Sequence, residues 1–417
     1  MKLNRRQFLG ASLASAVLAW LPFSSCKKKS RKADYSDLDA ELSKPVFKRE
    51  IFPDPVIIES VELLKYKDNY ICRVRSTDGA EGISVSNNSR MGFLYPIQVK
   101  NVNPFFIGKD ARDLDSLIRG VYLDNSNYKY QSYALWIPVA TAEFAILDMM
   151  GRLANKPMGE LFGDTHHRQV AVYRANNNRG KTAEESIRNI QKVVAESRAK
   201  ALKFKVGGRM RRNQEDPPGR TEKLIPLVRK TFGYDMTIYA DSNGSYTLDE
   251  AIRIGRILEE YKIDFYEEPV PFDWYEETRQ VADALSISVA GGEQEPSLHN
   301  FRWLIGNDAL QIVQPDMFYF GGMIRSTKVA RMAAVRGKPC IPHISGGGLG
   351  YVYMLHFVST LPNAGPYHEF KGYSDVPFEC PTSSVKVENG VITVPSGPGL
   401  GLHIDPDFIE KAEVVTG

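Results

Sequence analysis

Seven ionisable residues each close a short apolar run: Lys205, Asp241, Glu267, Glu293, Asp316, His343 and Glu369. They follow one another at steps of 36, 26, 26, 23, 27 and 26 residues. Asp241, Glu267 and Glu293 are three carboxylates at equal steps, and converging anions repel unless a cation sits between them. Hard oxygen ligands with positions left open for water and substrate suit Mg²⁺. Lys203 and Lys205 alternate about Phe204, so both project from one face of a strand. An ammonium beside another ammonium and a metal is harder to protonate, which moves a lysine toward a working base. One of the pair can equally be held by a carboxylate, and Lys203 can bind a substrate carboxylate. Asp316, one strand before His343, can accept from an imidazole nitrogen, orient the ring and raise its basicity. Glu369, if kept protonated, can donate to a developing oxyanion. The chemistry that uses all seven is removal of the proton alpha to a carboxylate, with the negative charge held as an enediolate.

The recurring step is about the length of one strand, one helix and two connections, since parallel strands need a crossover of a dozen or more residues. In a (β/α)₈ barrel the ends of successive strands converge on one face. The spacing therefore predicts an α/β fold of TIM type. Its strands run through Gln169–Tyr173, Ala201–Val206, Met236–Asp241 and Phe265–Glu267, with later ones before Glu293, Asp316 and His343 and the eighth ending at Glu369. Helical patterns over Ala183–Ala199, Leu248–Tyr261 and Ser326–Arg336 fall between. Upstream, strand-like Val56–Leu64 and Tyr70–Arg75 and the apolar helix Ala140–Met150 describe an α+β cap. The expected divisions are an export segment over 1–26, a flexible tether over 27–45, the cap over 46–168, the barrel over 169–380, and a segment over 381–417 that returns to the cap.

A chain of 417 residues is too long for one ordinary core, and 43% hydrophobic with 25% charged residues is globular composition. A net charge of +3 without a basic stripe interleaved with aromatics argues against nucleic-acid binding. The basic start, the uncharged run Phe8–Phe23 and the sequence Asn4-Arg5-Arg6-Gln7-Phe8-Leu9 resemble a twin-arginine export signal. Phe23-Ser24-Ser25-Cys26 resembles a lipoprotein cleavage box. Cys26 is then either a lipid attachment point, tethering the protein to a membrane, or discarded with a plain signal peptide. The expected location is periplasmic. The other three cysteines show no metal-like spacing and predict no disulfide framework.

Ordered motifs from Val46 onward resemble the mandelate racemase/muconate lactonizing branch of the enolase superfamily. They include Asp78-Gly79-Ala80-Glu81-Gly82, Lys203-Phe204-Lys205, Asp241-Ser242-Asn243, Glu267-Glu268-Pro269, Gly292-Glu293, Gln314-Pro315-Asp316, Pro342-His343 and Pro398-Gly399-Leu400-Gly401. The Lys-x-Lys pair with a His-Asp dyad is similar to the mandelate racemase subgroup. That resemblance implies a modified barrel with an N-terminal cap and a homo-oligomer. It implies Mg²⁺ on Asp241, Glu267 and Glu293, acid/base roles for Lys205 and His343 on opposite faces of the substrate, Asp316 orienting His343, and Glu369 as electrophile. Dehydration of an acid sugar leads, with racemisation, epimerisation or cycloisomerisation on the same residues as alternatives. A non-catalytic carbohydrate-binding barrel is the alternative of another class. Specificity is expected from two cap loops, the Lys65–Asn69 turn and Ser84–Pro96. Within them Arg90 could hold the distal carboxylate of a diacid. Asn176, after the first barrel strand, and Asn243 are further candidates for substrate contact. Ser345–Gly350 loosely suggests a phosphate loop but lacks its lysine, and its place fits the seventh barrel loop instead.

Overall fold

The computed structural model describes residues 33–176, 178–346 and 348–416. The export segment over 1–26 and the first part of the tether lie outside the described residues. Barrel strands Gln169–Ala175, Ala201–Lys205, Thr237–Asp241, Phe265–Glu267, Ser288–Gly291 and Ile312–Val313 pair in parallel, each with the next. The last strand, His368–Phe370, pairs in parallel with the first. The seventh strand shrinks to Cys340, which bridges Val313 on one side and Ala364 on the other and so closes the ring. Prolines at 339 and 342 explain the shortness, since each lacks the N–H a ladder requires. The register is what builds the site. It sets Lys205 beside Asp241 and Asp241 beside Glu267, at one level of the ring.

Each strand reads as a near-continuous apolar run because it is covered on both faces. Inside the ring Tyr173, Tyr239, Phe265, Ile312 and Ile341 pack as a buried layer, with Tyr239 and Phe265 stacked at 3.8 Å between ring centroids. Outside, helices such as Ala183–Ser197 and Leu248–Glu260 bury one face against strands two to five. The first of these helices opens on a reciprocal capping box between Thr182 and Glu185, which satisfies two otherwise orphaned backbone donors.

The cap is a sheet of Ile58–Tyr66, Asn69–Ser76 and Glu81–Val85 laid on the helix Tyr133–Leu153. That helix is apolar all round and almost wholly buried, as its composition demands. Gly82 makes the contact possible, because a Cβ there would stand 2.2 Å from the carbonyl oxygen of Ala145. Cap and barrel share one continuous core, in which Leu63, Ile71 and Met91 belong to the same cluster as Phe318, Ile344 and Phe370.

Two expectations need correction. The tether is not featureless throughout: Ser36–Ser43 forms a helix with Leu38 fully buried, clamped by Arg302 on Asp39 and Arg336 on Asp37. The segment Ser84–Pro96 is not a loop: Asn88–Ile97 is a helix that begins immediately after the third cap strand. The C-terminal segment does return to the cap, by way of the barrel. Val391–Thr393 first pairs antiparallel with the first barrel strand, and only Glu413–Val414 joins the cap strand at Leu64 and Lys65.

Candidate active site

Asp241, Glu267 and Glu293 converge at the C-terminal ends of strands three to five, with an oxygen from each within 4.8 Å of the others. All three are buried. Lys203 lies beneath them, its Nζ donating to both oxygens of Glu267 at 2.8 and 2.7 Å and standing 3.1 Å from Glu369. Gln314 donates to Glu267 at 3.0 Å, and Lys205 pairs with Asp241. Burial disfavours every one of these charges, so the protons distribute unevenly. Burial resists ionisation of Asp241, but Lys205 and Lys203 outweigh it and depress the pKa. Burial and the neighbouring Asp241 push Glu267 up to about 7. Burial likewise opposes the charge on Lys203, yet Glu267 and Glu369 raise its pKa well above the ordinary value. Three anions that cannot all ionise comfortably describe a cation site.

His343 ends the seventh segment. Its Nδ1 lies 2.6 Å from Asp316, and its Nε2 lies 3.1 Å from Oε2 of Glu293 and 2.9 Å from Nζ of Lys371. With the proton on Nδ1, Nε2 is an acceptor and cannot serve Glu293, whose Oε2 is buried without a hydrogen-bond donor. An orphaned carboxylate oxygen next to two more carboxylates fits a hard divalent ion such as Mg²⁺. Burial lowers the pKa of the imidazole, but Glu293 and the other carboxylates prevail over burial and Lys371 and raise it. Asp316 is itself fixed by backbone N–H groups of Phe318 and Tyr319 and by the hydroxyl of Ser345 at 2.9 Å. Ser345 in turn accepts from Asn87 of the cap at 3.0 Å. Gly346 leaves room for that link, since a Cβ there would press within 2.5 Å of the Asn87 side chain.

A cavity of about 400 Å³ opens over these groups, lined by Lys205, Asn243, Glu293, His343, Glu369 and Lys371 below and by Ser89, Arg90, Arg209 and Tyr319 higher up. Lys205 and His343 approach it from strands two and seven, on opposite sides of the carboxylates.

Residues 185–408 match the family described as Enolase C-terminal domain-like. The chain is a member of the enolase superfamily. It is 28% identical to an arabinonate dehydratase of Saccharolobus solfataricus over 313 residues, covering 75% of this chain and 81% of that one. It is 27% identical to a D-galactarolactone cycloisomerase of Agrobacterium fabrum, over 75% of this chain and 83% of that one. Among solved structures, a mandelate racemase/muconate lactonizing protein from Paracoccus denitrificans, complexed with magnesium, superposes with a TM-score of 0.78. It is 25% identical, over 87% of this chain and 99% of that one.

Within this enolase-superfamily enzyme, several residues sit differently from expectation. Lys203 does not face the cavity. It is 1% exposed and saturated by Glu267 and Glu369, so it holds the carboxylates and cannot reach a substrate. Glu369 is not a protonated donor. Burial resists its charge, but Lys203, Lys371 and His343 hold its pKa well below the usual carboxylate range. A carboxylate only accepts, so the donor at this position is the Lys371 ammonium, 3.0 Å from Oε2. Asn176 lines the cavity with its amide already committed, donating to the Lys203 carbonyl at 2.5 Å and accepting from Asn178 at 3.1 Å. Asn243 accepts from Lys205 at 3.1 Å and from Arg179 at 2.8 Å, tying two strand ends together. Of the two cap segments expected to shape specificity, only the second reaches the cavity, through Ser89 and Arg90, while no residue of the Lys65–Asn69 turn lines it.

Lys371 and Arg179 were not anticipated as parts of the site, and Asn87 was expected only as a member of the Ser84–Pro96 segment, not as the partner of Ser345. Lys371 had a signal, for Glu369-Phe370-Lys371 alternates like Lys203-Phe204-Lys205 and puts both charges on one face. Arg179 and Asn87 come from connections, where no periodicity marks them.

Proposed function

We propose that the protein dehydrates an acid sugar, an aldonate or aldarate, to its 2-keto-3-deoxy acid. The observation that carries this reading is the placement of Lys205 and His343 on opposite sides of a three-carboxylate cluster. Asp241, Glu267 and Glu293 would hold Mg²⁺, which supplies positive charge beside the substrate carboxylate when bound. Lys205 and His343 flank the α carbon, and the configuration there decides which of them removes the proton. The C–H electrons pass into the carboxylate as an enediolate, toward which the Lys371 ammonium can donate. His343, its Nδ1 held by Asp316, then delivers from Nε2 to the departing β hydroxyl either the α proton it has just taken or, where neutral Lys205 is the base, the proton it carries as an imidazolium. Water leaves, and the enol that remains tautomerises to the ketone. The arrangement Asn87–Ser345–Asp316 keeps the ring oriented throughout, which is how positioned groups lower a barrier. The dehydratase among the relatives supports the same reaction class for this chain, and the cycloisomerase marks the nearest alternative.

The test is incubation of the Mg²⁺-loaded protein in D₂O with a library of mono- and diacid sugars, following both keto product and α-deuterium. Water loss from one sugar supports dehydration and names the substrate. Deuterium exchange without water loss would transfer the reading to a racemase or epimerase. We further propose export by the twin-arginine-like segment, followed by assembly as a homo-oligomer. Recovery of an uncleaved, cytoplasmic, monomeric protein from its native host would refute both.

A further inference from the structure

Two guanidinium groups face the cavity with no charge to answer them. Arg90 comes from the cap helix Asn88–Ile97, and Arg209 from the connection after the second barrel strand. Both side chains are exposed, and neither has a carboxylate partner among the described residues. The Arg90 guanidinium donates to the Tyr319 hydroxyl, 3.5 Å away, on a ring that leans against Tyr133. Arg209 is held by its backbone: its N–H donates to Ser245 Oγ at 2.8 Å, and its φ of +53° is one that a residue with a side chain seldom adopts. Of the other charges lining the cavity, Lys205 pairs with Asp241, Lys371 with Glu369 and His343 with Asp316, while Glu293 faces the cation site. The carboxylate that reacts belongs over the acidic cluster. A monoacid therefore leaves the two arginines unanswered, whereas a second carboxylate at the far end of the molecule would meet them.

We propose that the substrate is a diacid sugar whose distal carboxylate is bound by Arg90 and Arg209, one from the cap and one from the barrel. This rests on the dehydration reading for the near carboxylate and adds the far one. The guanidinium fork matches a carboxylate in shape as well as charge, which a lysine would not. A cavity of about 400 Å³ is of the size that encloses a small ligand. Because the two arginines sit on separate elements, the distal group would bridge cap and barrel.

The experiment compares a six-carbon aldarate, the aldonate of the same configuration and that aldonate's 6-phosphate, on the full Mg²⁺-loaded protein. Turnover and calorimetric binding are both read. The aldarate is expected to exceed the aldonate in kcat/KM and in affinity by roughly tenfold or more, the scale of a hydrogen bond to a charged group. Arg90→Met and Arg209→Met should each reduce that ratio about tenfold, with Arg90→Lys recovering only part of it. Both side chains lie at the surface, so folding is not at stake. A preference for the aldonate, a ratio that neither variant moves, or a preference for the phosphate would overturn the proposal. Absence of turnover from all three would sink dehydration alone. The calorimetric ratio still decides the clamp, which stands if the diacid binds tighter in an arginine-dependent way and falls if it does not.

Discussion

The floor and the mouth of this cavity follow opposite electrostatic rules. On the floor, buried charges are pressed together and most are answered from within: Lys203 serves Glu267 and Glu369, Lys205 serves Asp241, and Asp316 serves His343, while Oε2 of Glu293 is left for a cation. At the mouth Arg90 and Arg209 stand in solvent without a carboxylate. The contrast separates what is fixed in advance from what is completed by substrate. A buried charge must be answered by the protein or by a resident cation because the desolvation cost is several kcal/mol per ion. An exposed one can wait for a ligand at little cost.

The contrast can be broken most severely at the floor. Stripping divalent ions should abolish activity and lower thermal stability, with Mg²⁺ restoring both, because the three carboxylates then lose their counter-charge. Activity that survives complete chelation would remove the cation site. Next, His343→Asn and Lys205→Met should each reduce turnover by roughly a hundredfold to ten-thousandfold, the usual range for a positioned acid or base. A variant retaining near-normal turnover would show that its residue is not on the reaction path. A smaller effect belongs to the strut between the two regions. Asn87→Ala should lower kcat by about tenfold with little change in KM, since it loosens the imidazole without touching the substrate. A KM effect alone would make Asn87 a binding residue instead.

The smallest effect concerns a buried acid outside both regions. Glu143, fully buried between the long cap helix and the barrel, accepts from the N–H of Ile324 at 3.1 Å and also from Met323. Burial raises its pKa from 4.5 to about 8. A raised carboxyl favours the native state fully below its unfolded value and loses that advantage as pH climbs through the folded one. Melting temperature should therefore fall across about pH 4.5 to 8, and Glu143→Gln should flatten that decline by about 5 °C or more. An unchanged pH profile in the variant would assign the decline to other groups.

The floor was legible in the sequence because a barrel strand end recurs at a nearly fixed step, and a polar residue that closes an apolar run stands out. The barrel followed from the same step, and its enolase-like form from the resemblance carried by the ordered motifs. Departures from expectation trace to particular residues. The pairing of Lys203 was weighed but its full burial was not, since alternation says which face a side chain takes and not how deep it lies. Glu369 was expected to be neutral because Lys371, two positions on, was not counted. The helix at Ser36–Ser43 hid behind its acidic composition, although Leu38 and Leu42 stand four apart, and its partners Arg302 and Arg336 lie far along the chain. The helix at Asn88–Ile97 contains Gly92 and Pro96, both of which argue locally against it, and its packing on the long cap helix overrides them.

The core that runs unbroken from cap to barrel has a consequence for how a substrate gets in. A lid swings only where few contacts cross its hinge, and here buried side chains of both parts interlock without a seam. Admission must then be a local matter of loop and side-chain breathing around the arginine-bearing rim. An exchange experiment on backbone amides would accordingly find fast sites in the connection after the second barrel strand and slow ones throughout the cap sheet.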